Sequence, residues 1–176
     1  SDASFLVAGK TTLSGDTIKP GLAGEPTCYN GKAYTPSNQL TPGRTSYGAN
    51  NNIRILRYAD VLLMNAEAKI RKGQNGDAEI NQVRERAKLA PLTGATLDQL
   101  LDERRAEFAM EWGERFFDLK RWGIASKTLN AYFADEQNDK YDGQTYAKYY
   151  KDAHFTAGKN EFFPVPYNQM YYIPGL

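Results

Sequence analysis

The rhythm of apolar and polar positions changes at residue 53. Before it, Ser1 to Asn52 hold seven of the 15 glycines and four of the eight prolines, interleaved with Ser, Thr and Asn, and no helical period is sustained. Turns and short extended pieces are expected there. Such a stretch is far longer than the roughly 15 residues usual for a loop inside a compact domain. It either leans on structure outside itself or wraps the helices as ordered irregular chain, anchored by Tyr29, Tyr34 and Tyr47. From Ile53 the apolar residues recur at helical spacing. In Arg57 to Lys72 the row Tyr58, Leu62, Ala66 and Ile70 repeats every four residues, widened by Val61, Leu63 and Met64, while Arg57, Asp60, Glu67 and Arg71 line a narrow polar strip. The spacing predicts a mostly buried helix with that apolar row facing inward.

Gly73 and Gly76 bracket a turn, and Asp77 is placed to cap a second helix, Ala78 to about Lys88, with Ile80, Val83 and Ala87 on one side. The two form a helical hairpin of the tetratricopeptide type, although one unit does not make a repeat. After Pro91 and Gly94, Thr96 and Gln99 have the spacing of a capping box ahead of Leu97, Leu100 and Leu101, so a third helix is expected from there to Trp112. Gly113 interrupts it. A shorter helix from Glu114 to Trp122 stops at Gly123, and Ile124 to Phe133 can form a further helical piece. Asp135 to Asn160 is polar and tyrosine-rich, and Pro164, Pro166 and Pro174 predict an extended tail. The expected fold is all-α, with three parts: irregular chain over 1–52, a helical core over 53–133, and a tyrosine-rich loop and extended tail over 134–176.

Charge narrows the possible chemistry. Lys and Arg number 22 against 21 Asp and Glu, a net +1, so no long-range field draws in nucleic acid or an anionic membrane. The single cysteine, Cys28, has no partner for an intramolecular disulfide and reads as a small apolar filler. His154 is the only histidine, which excludes a multi-histidine metal site, and it is expected in a solvated loop. No cofactor or metal is expected. Gly9, Lys10 and Thr11 echo the end of a phosphate-binding loop, but the glycine needed five residues earlier is Ser4. No apolar run is long enough to span a bilayer. The chain as it stands reads as soluble, with any export signal removed or upstream.

Glu103, Arg104, Arg105, Glu107, Glu111, Glu114, Arg115, Asp118 and Arg121 form the densest charge cluster, set among Phe108, Trp112, Phe116, Phe117 and Trp122. Arg104 shares a helical row with Leu100, Phe108 and Trp112, which turns it into an apolar face where it needs a carboxylate partner; Glu67, Glu107 and Asp118 are candidates. One reading makes Glu107, Glu111 and Asp118 the acid and base of a glycosidase. The other makes the cluster an internal ion-pair network of Arg57, Asp60, Glu67, Arg84, Arg104, Glu107, Arg115 and Asp118. The second is favoured because Ile53 to Trp122 carries 13 basic and 12 acidic residues, a balance that suits pairing. The 12 tyrosines and two tryptophans supply aromatic faces of the kind that stack on sugars.

Several segments together resemble a known family. Asn52-Ile-Arg-Ile-Leu-Arg-Tyr-Ala-Asp-Val-Leu-Leu-Met-Asn-Ala-Glu-Ala68 resembles the signature helix of the SusD/RagB outer-membrane lipoproteins. Ile80-Asn-Gln-Val-Arg-Glu-Arg-Ala87, Glu103-Arg-Arg-Ala-Glu-Phe108, Gly113-Glu-Arg-Phe-Phe-Asp-Leu-Lys-Arg-Trp-Gly123 and Phe163-Pro-Val-Pro166 are similar to later motifs in the family's order. The resemblance is to the C-terminal part of such proteins. It implies tetratricopeptide-like hairpins with long irregular ligand loops, and a non-catalytic role in capturing oligosaccharide for a SusC-like TonB-dependent transporter. It also implies the Gram-negative cell surface, reached through a lipid anchor on a cysteine upstream, since no lipobox precedes Cys28. The motifs mark scaffold, and no ligand residue is transferred by them. Tyr29, Asn30, Tyr34 and Tyr47 are candidate ligand contacts only because they lie in the loop region before the first motif. A peptide-binding importer subunit is the alternative.

Overall fold

The computed structural model describes residues 4–20, 28–43, 52, 54–111, 114–136, 140–141, 144–145, 152–170 and 172. Tyr47, Trp112, Tyr146, Tyr149 and Tyr150 therefore lie outside the described residues. The chain divides into two compact units, Ser1–Trp112 and Gly113–Leu176. Among the described residues helices dominate both, as the periodicity predicts, and the named strands form two small antiparallel pairs. Among the described residues, no helix is long and apolar enough to cross a membrane.

In the first unit, strand β1 (Phe5–Val7) pairs antiparallel with β2 (Cys28–Asn30), Leu6 opposite Tyr29. Leu6 is buried on one face while Phe5 and Val7 point outward, the alternation of a half-covered strand. Cys28, read as a filler, is exposed on β2 with a free thiol. A 3-10 turn spans Ser37–Gln39.

Three helices then pack together: α1 (Tyr58–Arg71), α2 (Asp77–Arg86) and α3 (Leu97–Glu107). Leu63, Ala66, Ile80, Val83, Leu100 and Phe108 make their common core. Leu63, Ile80 and Leu100 are fully buried, each contributing about 1.5–3 kcal/mol by removal from water. Of the row expected to face inward on α1, Ala66 is buried and Leu62 and Ile70 pack half-buried against the core, but Tyr58 is turned out. Tyr58 is 70% exposed and Val61 and Met64 are also outside, whereas Asp60, Leu63, Ala66 and Glu67 are buried. Two members of the polar strip, Asp60 and Glu67, thus lie inside the bundle, while Arg71 is exposed. Both faces of α1 carry apolar residues, and the one turned inward also sets Asp60 against Arg104 of α3.

Helix ends follow local chemistry closely. α1 ends in a left-handed Gly73 (φ +71) with Gly73 N–H bonded to Ile70 O and Gln74 N–H to Lys69 O, a Schellman closure. α2 ends the same way on Lys88 (φ 56), with Lys88 N–H to Glu85 O and Leu89 N–H to Arg84 O. Gly76 is buried at the start of α2, where a Cβ would stand 3.0 Å from Ala66 O and 3.1 Å from an Ile70 side-chain carbon. Asp77 is the first residue of α2 rather than its cap. Its own N–H donates to Asn75 Oδ1 at 2.7 Å, and its carboxylate accepts from Gly94 and Ala95 N–H at 2.8 Å, tying α2 to the connection before α3. The Thr96–Gln99 capping box forms as predicted. α3, expected to reach Trp112, stops at Glu107 with Phe108 as its C-cap, and Met110 beyond it adopts a left-handed φ of 66°.

In the second unit, α4 (Glu114–Arg121) and α5 (Ala125–Glu136) pack around Leu119, Ala125 and Phe155. α4 closes on Gly123 (φ +72) with the same Schellman bonds. Asn130 clamps the main chain of Phe155 from both sides: its Nδ2 donates to Phe155 O at 3.0 Å and its Oδ1 accepts from Phe155 N–H at 2.7 Å. Strands β3 (Lys140–Tyr141) and β4 (Gln144–Thr145) pair within the stretch read as loop. The sequence between them, Asp142-Gly143, is a favoured two-residue hairpin connection. The proline-rich tail is not wholly extended either. Pro166 stands immediately before one helical turn, α6 (Tyr167–Met170), and its carbonyl accepts from Gln169 N–H at 2.8 Å. Proline is tolerated there because no helical N–H is required of it.

Candidate functional site

The site is best built from its charged floor upward. Arg104 is 2% exposed on α3 and donates to Asp60 Oδ1 on α1 at 2.8 Å. Asp60 was not among the partners foreseen for it. The Phe108 ring receives the guanidinium of Arg104 at 5.0 Å from its centroid and that of Arg57 at the same distance. Arg84 on α2 bonds Glu103 on α3 at 2.5 Å, and its Nε donates to Ala90 O at 2.7 Å. Arg71 bonds Glu67 at 2.8 Å within α1. Lys69 and Asn65 of α1 both donate to Glu79 of α2, and the Lys69 bond holds the Glu79 carboxyl below its usual range against its burial.

At the exit of α3 the ion pairs converge. Arg57, the residue before α1, reaches Glu107 Oε1 at 2.9 Å, Glu111 Oε2 through Nε at 2.8 Å and Glu111 Oε1 through Nη2 at 2.8 Å. Arg86 adds a bond to Glu107 Oε2 at 2.7 Å. Lys32, from the loop after β2, closes the group with Glu111 Oε1 at 2.7 Å and also donates to Glu107 O. Burial alone would raise the Glu111 carboxyl, but the bonds from Lys32 and Arg57 outweigh it and hold the group below the ordinary glutamate value. A general acid for glycosidic cleavage requires the opposite shift. The arrangement neutralises and positions; Glu107 and Glu111 have their oxygens committed to cations. Asp118 lies in the other unit, bonded to Arg121 at 2.8 Å, and Arg115 is half-buried on α4.

Bonded to the α3 exit is the loop that carries Tyr29, Asn30 and Tyr34, while Tyr47 lies outside the described residues. Tyr29 is half-buried on β2. Asn30 Nδ2 donates to Met110 O at 2.7 Å, while its Oδ1 accepts from Lys32 N–H at 2.9 Å and Ala33 N–H at 3.2 Å. Tyr34 Oη donates to Asp16, whose carboxylate also accepts from Ser37 N–H at 2.9 Å and from Ser37 Oγ. These bonds, Ser37's first, keep Asp16 below its usual value, and the Asp16 contact pushes the Tyr34 phenol up. Lys32 and Asp16 were not singled out in the sequence. Neither lies in a motif, and their partners are distant along the chain.

Comparison with known proteins agrees with the residues. The sequence profile of the SusD family matches residues 14–176. A SusD-like protein of Bacteroides ovatus is 36% identical over 129 residues, 68% of this chain and 21% of that protein. The starch-binding protein SusD of Bacteroides thetaiotaomicron is 35% identical over 100 residues, 56% of this chain and 18% of that protein. In structure, the chain is similar to surface glycan-binding protein A from Bacteroides uniformis, with a TM-score of 0.69 and 28% identity over 99% of this chain and 36% of that one. The chain spans about a fifth of the length of the curated relatives it matches. With its signature helix, hairpin partner and α3–α4 motifs all built into the scaffold, this chain belongs to the SusD family.

Proposed function

We propose that this chain is part of a non-catalytic, cell-surface glycan-binding subunit of a nutrient importer. It captures oligosaccharide at the outer membrane of a Gram-negative cell and passes it to a SusC-like TonB-dependent transporter, held at the surface by a lipid anchor. Membership of the SusD family, together with the fold shared with a surface glycan-binding protein, is the observation that carries this reading. The commitment of Glu107 and Glu111 to Lys32, Arg57 and Arg86 supports binding over hydrolysis.

The proposed ligand face is the loop region of Tyr29, Asn30, Tyr34 and Tyr47. Tyr29 and Tyr34 offer ring faces for sugar stacking, and Asn30 serves mainly by shaping the loop, since three bonds already engage its amide. Affinity electrophoresis in gels cast with starch, pullulan, xylan and other polysaccharides tests the reading. Retardation in at least one gel, reduced by Tyr29→Ala, is expected. Free migration in all of them refutes it. Co-purification of a TonB-dependent transporter with the tagged protein from outer-membrane extracts tests the partner.

A further inference from the structure

The last four carbonyls of a helix have no partner within it, and the helix dipole favours a cation beside them. At the exit of α3 one of these carbonyls, Glu107 O, is met by a side chain of the β2 loop 75 residues earlier in the chain, and a second side chain of that loop takes the carbonyl of Met110, three residues past the helix end and 80 residues away. Lys32 Nζ donates to Glu107 O and pairs with Glu111, and Asn30 Nδ2 takes Met110 O at 2.7 Å, where the left-handed Met110 has turned the chain. Glu111 is bound at the same time by Arg57 at the start of α1. One carboxylate thus joins the loop, the exit of α3 and the entry to α1. On the loop side, the amide of Asn30 that grips Met110 also accepts the N–H groups of Lys32 and Ala33. A single side chain therefore both shapes the turn and fastens it.

We propose that Asn30 and Lys32 are positioning residues for ligand capture, fixing the turn between Tyr29 and Tyr34 on the α3 exit so that a glycan meets aromatic rings already in place. This rests on the glycan-binding reading of that loop. A pre-set loop spares the ligand the entropy of ordering it. None of the apolar core side chains around Leu63 and Leu100 takes part in the fastening, so loop order and helix stability can be separated by experiment.

The test uses the full chain with Lys32→Met, Lys32→Arg and Asn30→Ala, read by amide hydrogen exchange and by affinity electrophoresis in soluble starch. In Lys32→Met the amides of Lys32, Ala33 and Tyr34 should exchange about tenfold faster, with those of Leu63, Val83 and Leu100 unmoved. The dissociation constant for starch should rise about tenfold, equivalent to about 1.4 kcal/mol. Lys32→Arg, which keeps a cation at the α3 end, should restore both, and Asn30→Ala should repeat the exchange signature even where Lys32→Met fails to fold. Unchanged exchange in the turn, equal acceleration at Leu63 and Leu100, or a loosened turn that binds starch as well as before would each overturn the inference while wild-type binding stands. Absence of starch binding by the wild type, with no other polysaccharide retarding it, removes the glycan reading itself and the capture role with it.

Discussion

The pair Arg104–Asp60 offers the sharpest test of the scaffold. Arg104 is 2% exposed and Asp60 8% exposed, 2.8 Å apart across the α1–α3 seam. Two unit charges at 4 Å attract by about 4 kcal/mol at an effective dielectric constant of about 20. Much of that only offsets the cost of taking both groups out of water. Arg104→Met keeps most of the apolar stem but leaves Asp60 charged and buried with its guanidinium gone, which should cost about 3–5 kcal/mol. Removing both charges with Arg104→Met and Asp60→Leu should recover at least about 2 kcal/mol of that, because no orphan charge remains. Urea unfolding followed by far-ultraviolet circular dichroism would read this. With a slope of about 2 kcal/mol per molar, the single variant should lose about 2 M in midpoint and the double variant regain about half. A double variant as unstable as the sum of the two single variants would refute the coupling and the seam it stands for.

Other consequences follow from the same geometry. Replacing Lys88, held at φ 56, with glycine should raise stability by about 0.5–1 kcal/mol, seen as a higher thermal midpoint. Gly76→Ala should cost about 1–3 kcal/mol, since its Cβ meets a backbone oxygen at 3.0 Å that cannot easily withdraw. Asn130→Ala removes both bonds to the Phe155 main chain and should cost about 2–3 kcal/mol, with faster exchange at the Phe155 amide and none at Leu63. The carboxyls of Glu111, Glu79 and Asp77 are all depressed in the folded state. Their contribution is therefore complete above the unfolded values of 4.5 for glutamate and 3.8 for aspartate, and is lost as pH falls through the lower folded values. Urea midpoints should fall with pH in that acid range, less steeply in Glu111→Gln.

Local chemistry made much of the fold legible. The glycines at 73 and 123 and the Thr96–Gln99 box marked helix ends where the structure has them, because each acts through bonds between near neighbours. The exit of α3 at Phe108 carries no glycine or proline, and the groups beyond it, Met110 in a left-handed conformation included, are held by a distant loop that leaves no local signal. The pairing of β3 with β4 lies in a stretch whose polar, tyrosine-rich composition predicts a loop, because strands of two residues carry no alternation to read.

The sequence by itself determined where helices α1 to α5 lie, several of their ends, and the family to which their motifs belong, since these depend on spacing and on contacts one turn apart. Only the tertiary structure decided how far α1 is turned, with Tyr58 outside and Asp60 and Glu67 inside. A periodic pattern gives the angle between residues, not the direction of the core, and α1 carries apolar side chains on both faces. The inner side is the one that sets Asp60 against Arg104 across the α1–α3 seam. The placing of Lys32 against Glu111, 79 residues away, is of the same kind: long-range charge pairing leaves no local period from which it can be read.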